Sequence, residues 1–167
     1  PDNIKAYIKK IDVLRLNGEI ENSLFICNEA LEISPDNSDL YFHQANIFSD
    51  QFDFLKALES YNKSIKLNPN NAYAFCNKSN VLENLRKFDA AITAAKNAIK
   101  INPNFALAFF NLGVAAMQSR NFDLSNNSFD KAIELEPNFA KYKFAKSTLL
   151  LLFGDFKNGW INFESRW

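Results

Sequence analysis

Apolar side chains return along this chain every three or four residues, and no stretch sustains a strict alternation. Ala57, Leu58, Tyr61, Ser64 and Ile65 fall at i, i+1, i+4, i+7 and i+8, which puts them on one face of a helix. Ala91, Ile92, Ala95, Ala98 and Ile99 repeat that face further on. A stripe of Tyr41, Ala45 and Phe48, and another of Phe75, Ser79 and Leu82, predict a second helix upstream of each. Asp53, Asp89, Asp123 and Asp155 are expected in the turns between paired helices, where a carboxylate suits the positive N-terminal end of the helix that follows.

The pattern has a longer period as well. Prolines stand at Pro1, Pro35, Pro69, Pro103 and Pro137, each 34 residues after the last, in related settings such as Ile-Ser-Pro-Asp-Asn and Leu-Asn-Pro-Asn-Asn. A fixed period of this size is the signature of a repeat architecture. With each proline placed thirty-second, the units are 4–37, 38–71, 72–105, 106–139 and a shortened 140–167, forming one domain. Proline closes each unit because a helix interior would lose about 3 kcal/mol to it.

Small residues recur where two helices must cross. The twentieth position reads Ser23, Ala57, Ala91, Ser125 and Gly159; the eighth reads Ile11, Ala45, Ser79, Gly113 and Ser147. Bulk stands alongside, in Tyr7, Tyr41, Phe75 and Phe109 at the fourth position and in Phe129 and Phe163 at the twenty-fourth. Small against large at fixed offsets packs densely without overlap, so most of the 17 phenylalanines are expected in the core.

Composition narrows the function. Nineteen basic residues balance 19 acidic ones, which argues against a nucleic-acid partner and against an anionic membrane surface. No apolar run approaches the roughly 20 residues that a bilayer-spanning helix needs. Cys27 and Cys76 form no CxxC unit, so neither a disulfide framework nor a metal site is suggested, and no cofactor is expected. A single histidine, His43, has no neighbouring nucleophile, and there is no glycine-rich phosphate loop; the chain is not expected to be an enzyme. Asn-x-Ser triplets begin at Asn62, Asn77 and Asn126, all on predicted helices, where they make poor glycan acceptors. Because the sequence opens on Pro1 and not on a methionine, it is expected to be a piece of a longer protein, with a cytoplasmic location.

These residues resemble the tetratricopeptide repeat, with an aromatic fourth, small residues eighth, twentieth and twenty-seventh, an aromatic twenty-fourth and proline thirty-second. Ile11 and Asn126 depart from the pattern, as do Lys143 and Arg166 in the last unit. The resemblance implies an all-α, right-handed superhelical solenoid of antiparallel helix pairs whose first helices line a concave groove. It further implies that the groove binds a protein or peptide, as a scaffold or adaptor would. Groove positions carried over from the family fall on Phe42, His43, Asn46 and Ser49, then on Tyr73, Cys76, Asn77, Asn80 and Glu83. Leu107, Phe110, Asn111, Val114 and Met117 follow, with Lys141, Phe144 and Thr148 in the last unit.

Asn46, Asn77, Asn80 and Asn111 resemble the asparagine ladder of O-linked N-acetylglucosamine transferases. A primary amide carries donors and an acceptor, so a row of them can hold a ligand backbone; as exposed groups they are expected to add little to folding. Asn80, Asn111 and Lys141 match part of the carboxylate clamp of chaperone-binding repeats, but Cys76 and Ala145 stand where that clamp needs cations, and it is set aside. Gly154-Asp155-Phe156, Gly159-Trp160 and Glu164-Ser165-Arg166-Trp167 resemble a terminal repeat of bacterial proteins in which a glycosyltransferase domain often follows. An alternative function is therefore the substrate-recruiting arm of such an enzyme. Trp160, Phe163 and Trp167, spaced by three and four residues, are expected to form an apolar stripe left open at the C-terminal end, through which copies pair.

Overall fold

The computed structural model describes residues 3–164, the side chain of Asn162 apart. Ten helices and no strand occupy the described residues, as the stripes predict. In chain order they are α1 (Ile4–Leu16), α2 (Ile20–Ile33), α3 (Ser38–Asp50), α4 (Phe54–Leu67), α5 (Ala72–Asn84), α6 (Phe88–Ile101), α7 (Ala106–Gln118), α8 (Phe122–Leu135), α9 (Ala140–Leu152) and α10 (Phe156–Glu164). Pro35, Pro69, Pro103 and Pro137 each stand two residues beyond the end of a second helix.

Local chemistry sets the boundaries. Between paired helices, the fifteenth residue of every unit takes a left-handed conformation: Gly18, Phe52, Arg86, Arg120 and Gly154 have φ between 58° and 80°. For the three that carry a side chain this costs on the order of 1 kcal/mol each, and the packed helices on either side hold them there. The next residue is the N-cap of the second helix. Asp53 accepts from the Lys56 N–H at 3.2 Å, Asn121 from that of Leu124 at 3.3 Å, and Asp155 from that of Asn158 at 3.2 Å. Asp89 and Asp123 do not lie in the turn, as their spacing suggested. They sit in the first turn of α6 and α8, where they still favour the helix dipole. Asn37 and Asn71 cap the first helices α3 and α5 through backbone N–H groups of those helices.

Every helix touches its neighbours in sequence, and the first helices α1, α3, α5, α7 and α9 also touch one another in succession. Successive second helices do not touch, so the stack curves with the first helices on its inner face. The core runs along the axis as linked clusters, each joining a second helix to helices on either side. Tyr61 of α4 lies with Ala45, Ala57, Ala74 and Val81, and Phe129 of α8 with Phe110, Ala132, Tyr142 and Leu149.

The small–large expectation is met at the crossings. At three of the crossings a serine hydroxyl donates to the carbonyl across it, whereas Ser147 donates to Phe144 in its own helix. Ser23 reaches Ile11 at 2.9 Å, Ser79 reaches Ala91 at 2.9 Å, and Ser125 reaches Gly113 at 2.8 Å. Ser64 breaks this economy. It is fully buried in α4 and its hydroxyl has no partner, at a position held elsewhere by Ala30, Ala98 and Ala132. Ser64→Ala removes an unsatisfied polar group without leaving a large void. The expected result is a gain of about 1 kcal/mol, read as a higher urea midpoint at unchanged slope.

Candidate functional site

The inner face carries polar residues at the sixth and ninth positions of the first three units and at the sixth of the fourth, and neighbouring units bring these together. Asn46 on α3 and Asn77 on α5 meet directly, the Asn77 Nδ2 donating to Asn46 Oδ1 at 3.0 Å. Tyr61 reaches over from α4 and donates its hydroxyl to the same oxygen at 2.5 Å. One unit earlier the same offset places His43 Nδ1 2.9 Å from Asp12 Oδ1, an ion-pair distance although the N–H is out of line for a hydrogen bond. Asn111 breaks the sequence: its Nδ2 donates to the Cys76 carbonyl at 3.1 Å and to the sulfur at 3.4 Å. Arg15 pairs with Asp50 at 2.9 Å and closes the N-terminal side.

Between these groups lies a concave cavity of about 290 Å³, lined by Arg15, Asn46, Ser49, Asp50, Tyr61, Asn77, Asn80, Leu107, Asn111 and Lys141. Seven residues assigned to the groove from the sequence therefore come together: Asn46, Ser49, Asn77, Asn80, Leu107, Asn111 and Lys141. Lys141 is exposed, and its ammonium sits 4.9 Å from the centre of the Phe110 ring. Phe42, His43, Tyr73, Val114 and Phe144 lie outside the cavity lining. Tyr73, 62% exposed, stacks edge-on with Phe105, while Phe42 packs against His43 and Tyr61.

Two expectations need correction. Cys76 lines no groove: it is fully buried beneath the Asn111 amide, packed with Ala98 and Ala108. Asn46 and Asn111 are buried, not solvated, and Phe110 is nearly so between Phe129 and Tyr142. The cause is the close approach of first helices along the inner face, which turns part of each amide inward. Arg15, Asp50 and Tyr61 were absent from the sequence assignment. A signal for the pairing does exist: Asp12 and His43, Asn46 and Asn77, and Asn80 and Asn111 are matched polar residues 31 apart.

The amides retain capacity for a ligand. Among the described residues, the Asn46 amide nitrogen and the Oδ1 atoms of Asn77 and Asn111 have no hydrogen-bond partner, and the Asn80 side chain is exposed. The arrangement thus offers both donors and acceptors, with the exposed Lys141 ammonium beside them.

Burial pushes the Cys76 thiol up to about 12 against the lowering pull of the Asn111 amide, and burial pushes Cys27 up to about 12 as well. Both are free thiols. Because the thiolate is the reactive form, neither should be modified by a disulfide reagent at pH 8 in the native chain. Both should react once it is unfolded, counted by mass.

At the C-terminal end, Trp160 is 54% exposed and meets Phe163 edge-on at 5.4 Å, with Phe163 also against Phe144 at 5.5 Å. Trp167 lies outside the described residues. Asn126, in the place of an aliphatic, borders an open cleft of about 740 Å³ between α8 and α9 that also involves Phe122, Leu150 and Phe153. No helix is long and apolar enough to cross a membrane among the described residues.

Comparison with known proteins bears on this geometry. A tetratricopeptide repeat model matches residues 38–71 and 106–139, and a second model of the same description matches 60–93, so that together they cover more than half of the chain. No curated protein matches. Among solved structures, MamA from residue 41 to its end, from Desulfovibrio magneticus RS-1, is 20% identical with a TM-score of 0.87, covering 99% of this chain and 94% of that one. PilF of Pseudomonas aeruginosa is 21% identical at a TM-score of 0.89, covering 97% of this chain and 74% of that one. YrrB, described as a TPR protein with an unusual peptide-binding site, is 19% identical at 0.76, covering 96% and 82%. At such identities the likeness is one of fold, an all-helical solenoid of antiparallel pairs. With its 34-residue period, its crossings and its curved stack of first helices, the chain belongs to the tetratricopeptide repeat family.

Proposed function

We propose that the concave cavity binds an extended peptide segment of a partner protein, the chain acting as a scaffold or adaptor and not as an enzyme. The observation that carries this reading is the set of amides on α3, α5 and α7 that keep free donor and acceptor atoms at one cavity. Such groups match a peptide backbone, whose N–H and C=O alternate, whatever its side chains. Lys141 adds a cation for an acidic group of the ligand. The buried, unpaired thiols suit a reducing compartment, which supports the cytoplasm as its location. A second reading, the recruiting arm of a glycosyltransferase, draws its support from the Gly154-Asp155-Phe156 and Gly159-Trp160 pattern.

Asn80 and Lys141 are the residues on which to test the groove, because both are exposed and neither side chain makes an internal hydrogen bond among the described residues, Lys141 touching only the Phe110 ring. Peptides selected from a random displayed library against the intact chain should bind the Asn80→Ala, Lys141→Ala double variant at least about tenfold more weakly, the loss of two polar contacts. Selected peptides that bind both proteins equally would place the binding surface elsewhere.

A further inference from the structure

On the outer face, α4 and α6 do not touch, and a strip of α5 shows between them. Two clefts of about 490 and 500 Å³ lie along this strip and share Phe75 and Asn97, so that they form one trough. It follows α6 from Lys87 to Ile101, which at the rise of a helix is about 20 Å. Its floor is apolar, from Leu58, Phe75, Leu82 and Ala94. Three cations line it, Lys78 on the floor with Lys87 and Lys100 towards the two ends of α6, and among the described residues no carboxylate does. The trough belongs to the middle of the chain, with α1 to α3 before it and α7 to α10 after.

Lys78 is the exception in its register. It is the seventh residue of its unit, a place held one unit earlier by Gln44, which donates to Asn28 on α2 at 3.0 Å and accepts from Ser60 on α4 at 2.8 Å. In the last unit the same place holds Lys146, whose ammonium pairs with the Asp130 carboxylate on α8. Around Lys78 the corresponding residues are Asn62 and Ala94, and neither carries a charge. The lysine is half-buried, and that burial holds its pKa below the ordinary lysine value with no opposite charge at hand to restore it. A partly desolvated ammonium over an apolar floor is stabilised by an anion that docks against it.

We propose that this trough docks an acidic amphipathic helix of a partner protein, its apolar stripe on Leu58, Phe75 and Leu82 and an Asp or Glu on Lys78. Charge complementarity selects the acidic residues, since three cations stand along the trough unopposed. The backbone selects the helix. An extended segment of about six residues would fill the same length, and its N–H and C=O groups would find few partners beyond the Asn62 and Asn97 amides, because the walls are helices whose own backbone is already bonded. A helix satisfies its backbone internally and offers the wall only side chains. This site shares no residue with the concave cavity, and either reading stands if the other fails.

The probe is a displayed library of helical peptides with leucine at i, i+3, i+4 and i+7 and every other position free, selected on the intact chain. Peptides that still bind the Asn80→Ala, Lys141→Ala double variant should be enriched in Asp and Glu beside the leucine stripe. They should bind Lys78→Gln at least about tenfold more weakly and Lys78→Arg nearly as well as the parent. Lys78→Gln copies the Gln44 place of the unit before, and unchanged circular dichroism confirms that it folds. Proline in the middle of a selected peptide, at the same net charge, should abolish binding. The proposal is overturned if no peptide survives on the double variant, if the survivors show no acidic bias, or if Lys78→Gln costs no more than Lys78→Arg. It is overturned as well if the proline peptide binds equally, for the ligand would then be an extended acidic segment or a small carboxylate.

Discussion

Gly113→Ala lowers the stability of the chain by about 2 kcal/mol, against the usual direction of that substitution in a helix. In an unconstrained helix interior, alanine is favoured over glycine by about 1 kcal/mol because it fixes less backbone entropy. Here a Cβ at Gly113 would stand 2.6 Å from two carbons of the Phe129 ring, well inside van der Waals contact. The ring has no room to retreat. It is fully buried at the α7–α8 crossing, with Phe110 at 6.0 Å between centroids and Ala132, Tyr142 and Leu149 around it. On the other side, the Ser125 hydroxyl holds the Gly113 carbonyl at 2.8 Å and keeps α7 from sliding away. Overpacking of this kind costs about 1–3 kcal/mol, occasionally more, which outweighs the gain in propensity. Phe129→Leu in the same background should recover part of the loss, so that the two changes couple favourably in a double-mutant cycle of urea midpoints. A Gly113→Ala chain as stable as the parent would mean that α7 and α8 do not cross at this distance.

The Gly113–Phe129 contact is of the kind that sequence discloses well. Both residues are in fixed phase with the prolines, and a small residue eighth facing an aromatic twenty-fourth has one economical explanation. The turns were less legible. Asp53, Asp89, Asp123 and Asp155 look equivalent by type, yet only Asp53 and Asp155 cap a helix, because the chain's break is set by the left-handed residue just before the cap. Phe52, Arg86 and Arg120 give no hint of that conformation, which glycine at Gly18 and Gly154 would have suggested. Periodicity also located the inner face but not the depth of its amides. An asparagine stripe looks solvated until the neighbouring unit is placed against it. The partners of Asn77 and Asn111 lie 31 and 35 residues away, beyond any local pattern, and Tyr61 comes from the other helix layer.

Asn46→Ala should therefore cost far more than the removal of a surface amide. Its Oδ1 is the acceptor for both the Tyr61 hydroxyl and the Asn77 amide. Tyr61 is almost wholly buried, and that burial raises the pKa of its hydroxyl well above the ordinary phenol value. It cannot move to water without dragging its ring out of the cluster of Ala45, Ala57, Ala74 and Val81. A buried donor stripped of its partner costs about 1–3 kcal/mol, several times the worth of an exposed hydrogen bond. The single variant should lose about that much in urea denaturation. Tyr61→Phe separates this cause from simple loss of packing. With the hydroxyl gone there is nothing left unsatisfied, so Asn46→Ala in a Tyr61→Phe background should cost less than half what it costs alone. The remainder belongs to the Asn77 bond and to lost side-chain contacts. Equal costs in the two backgrounds would show that the hydroxyl finds another acceptor, leaving Asn46 as free for a ligand as its place on the inner face first suggested.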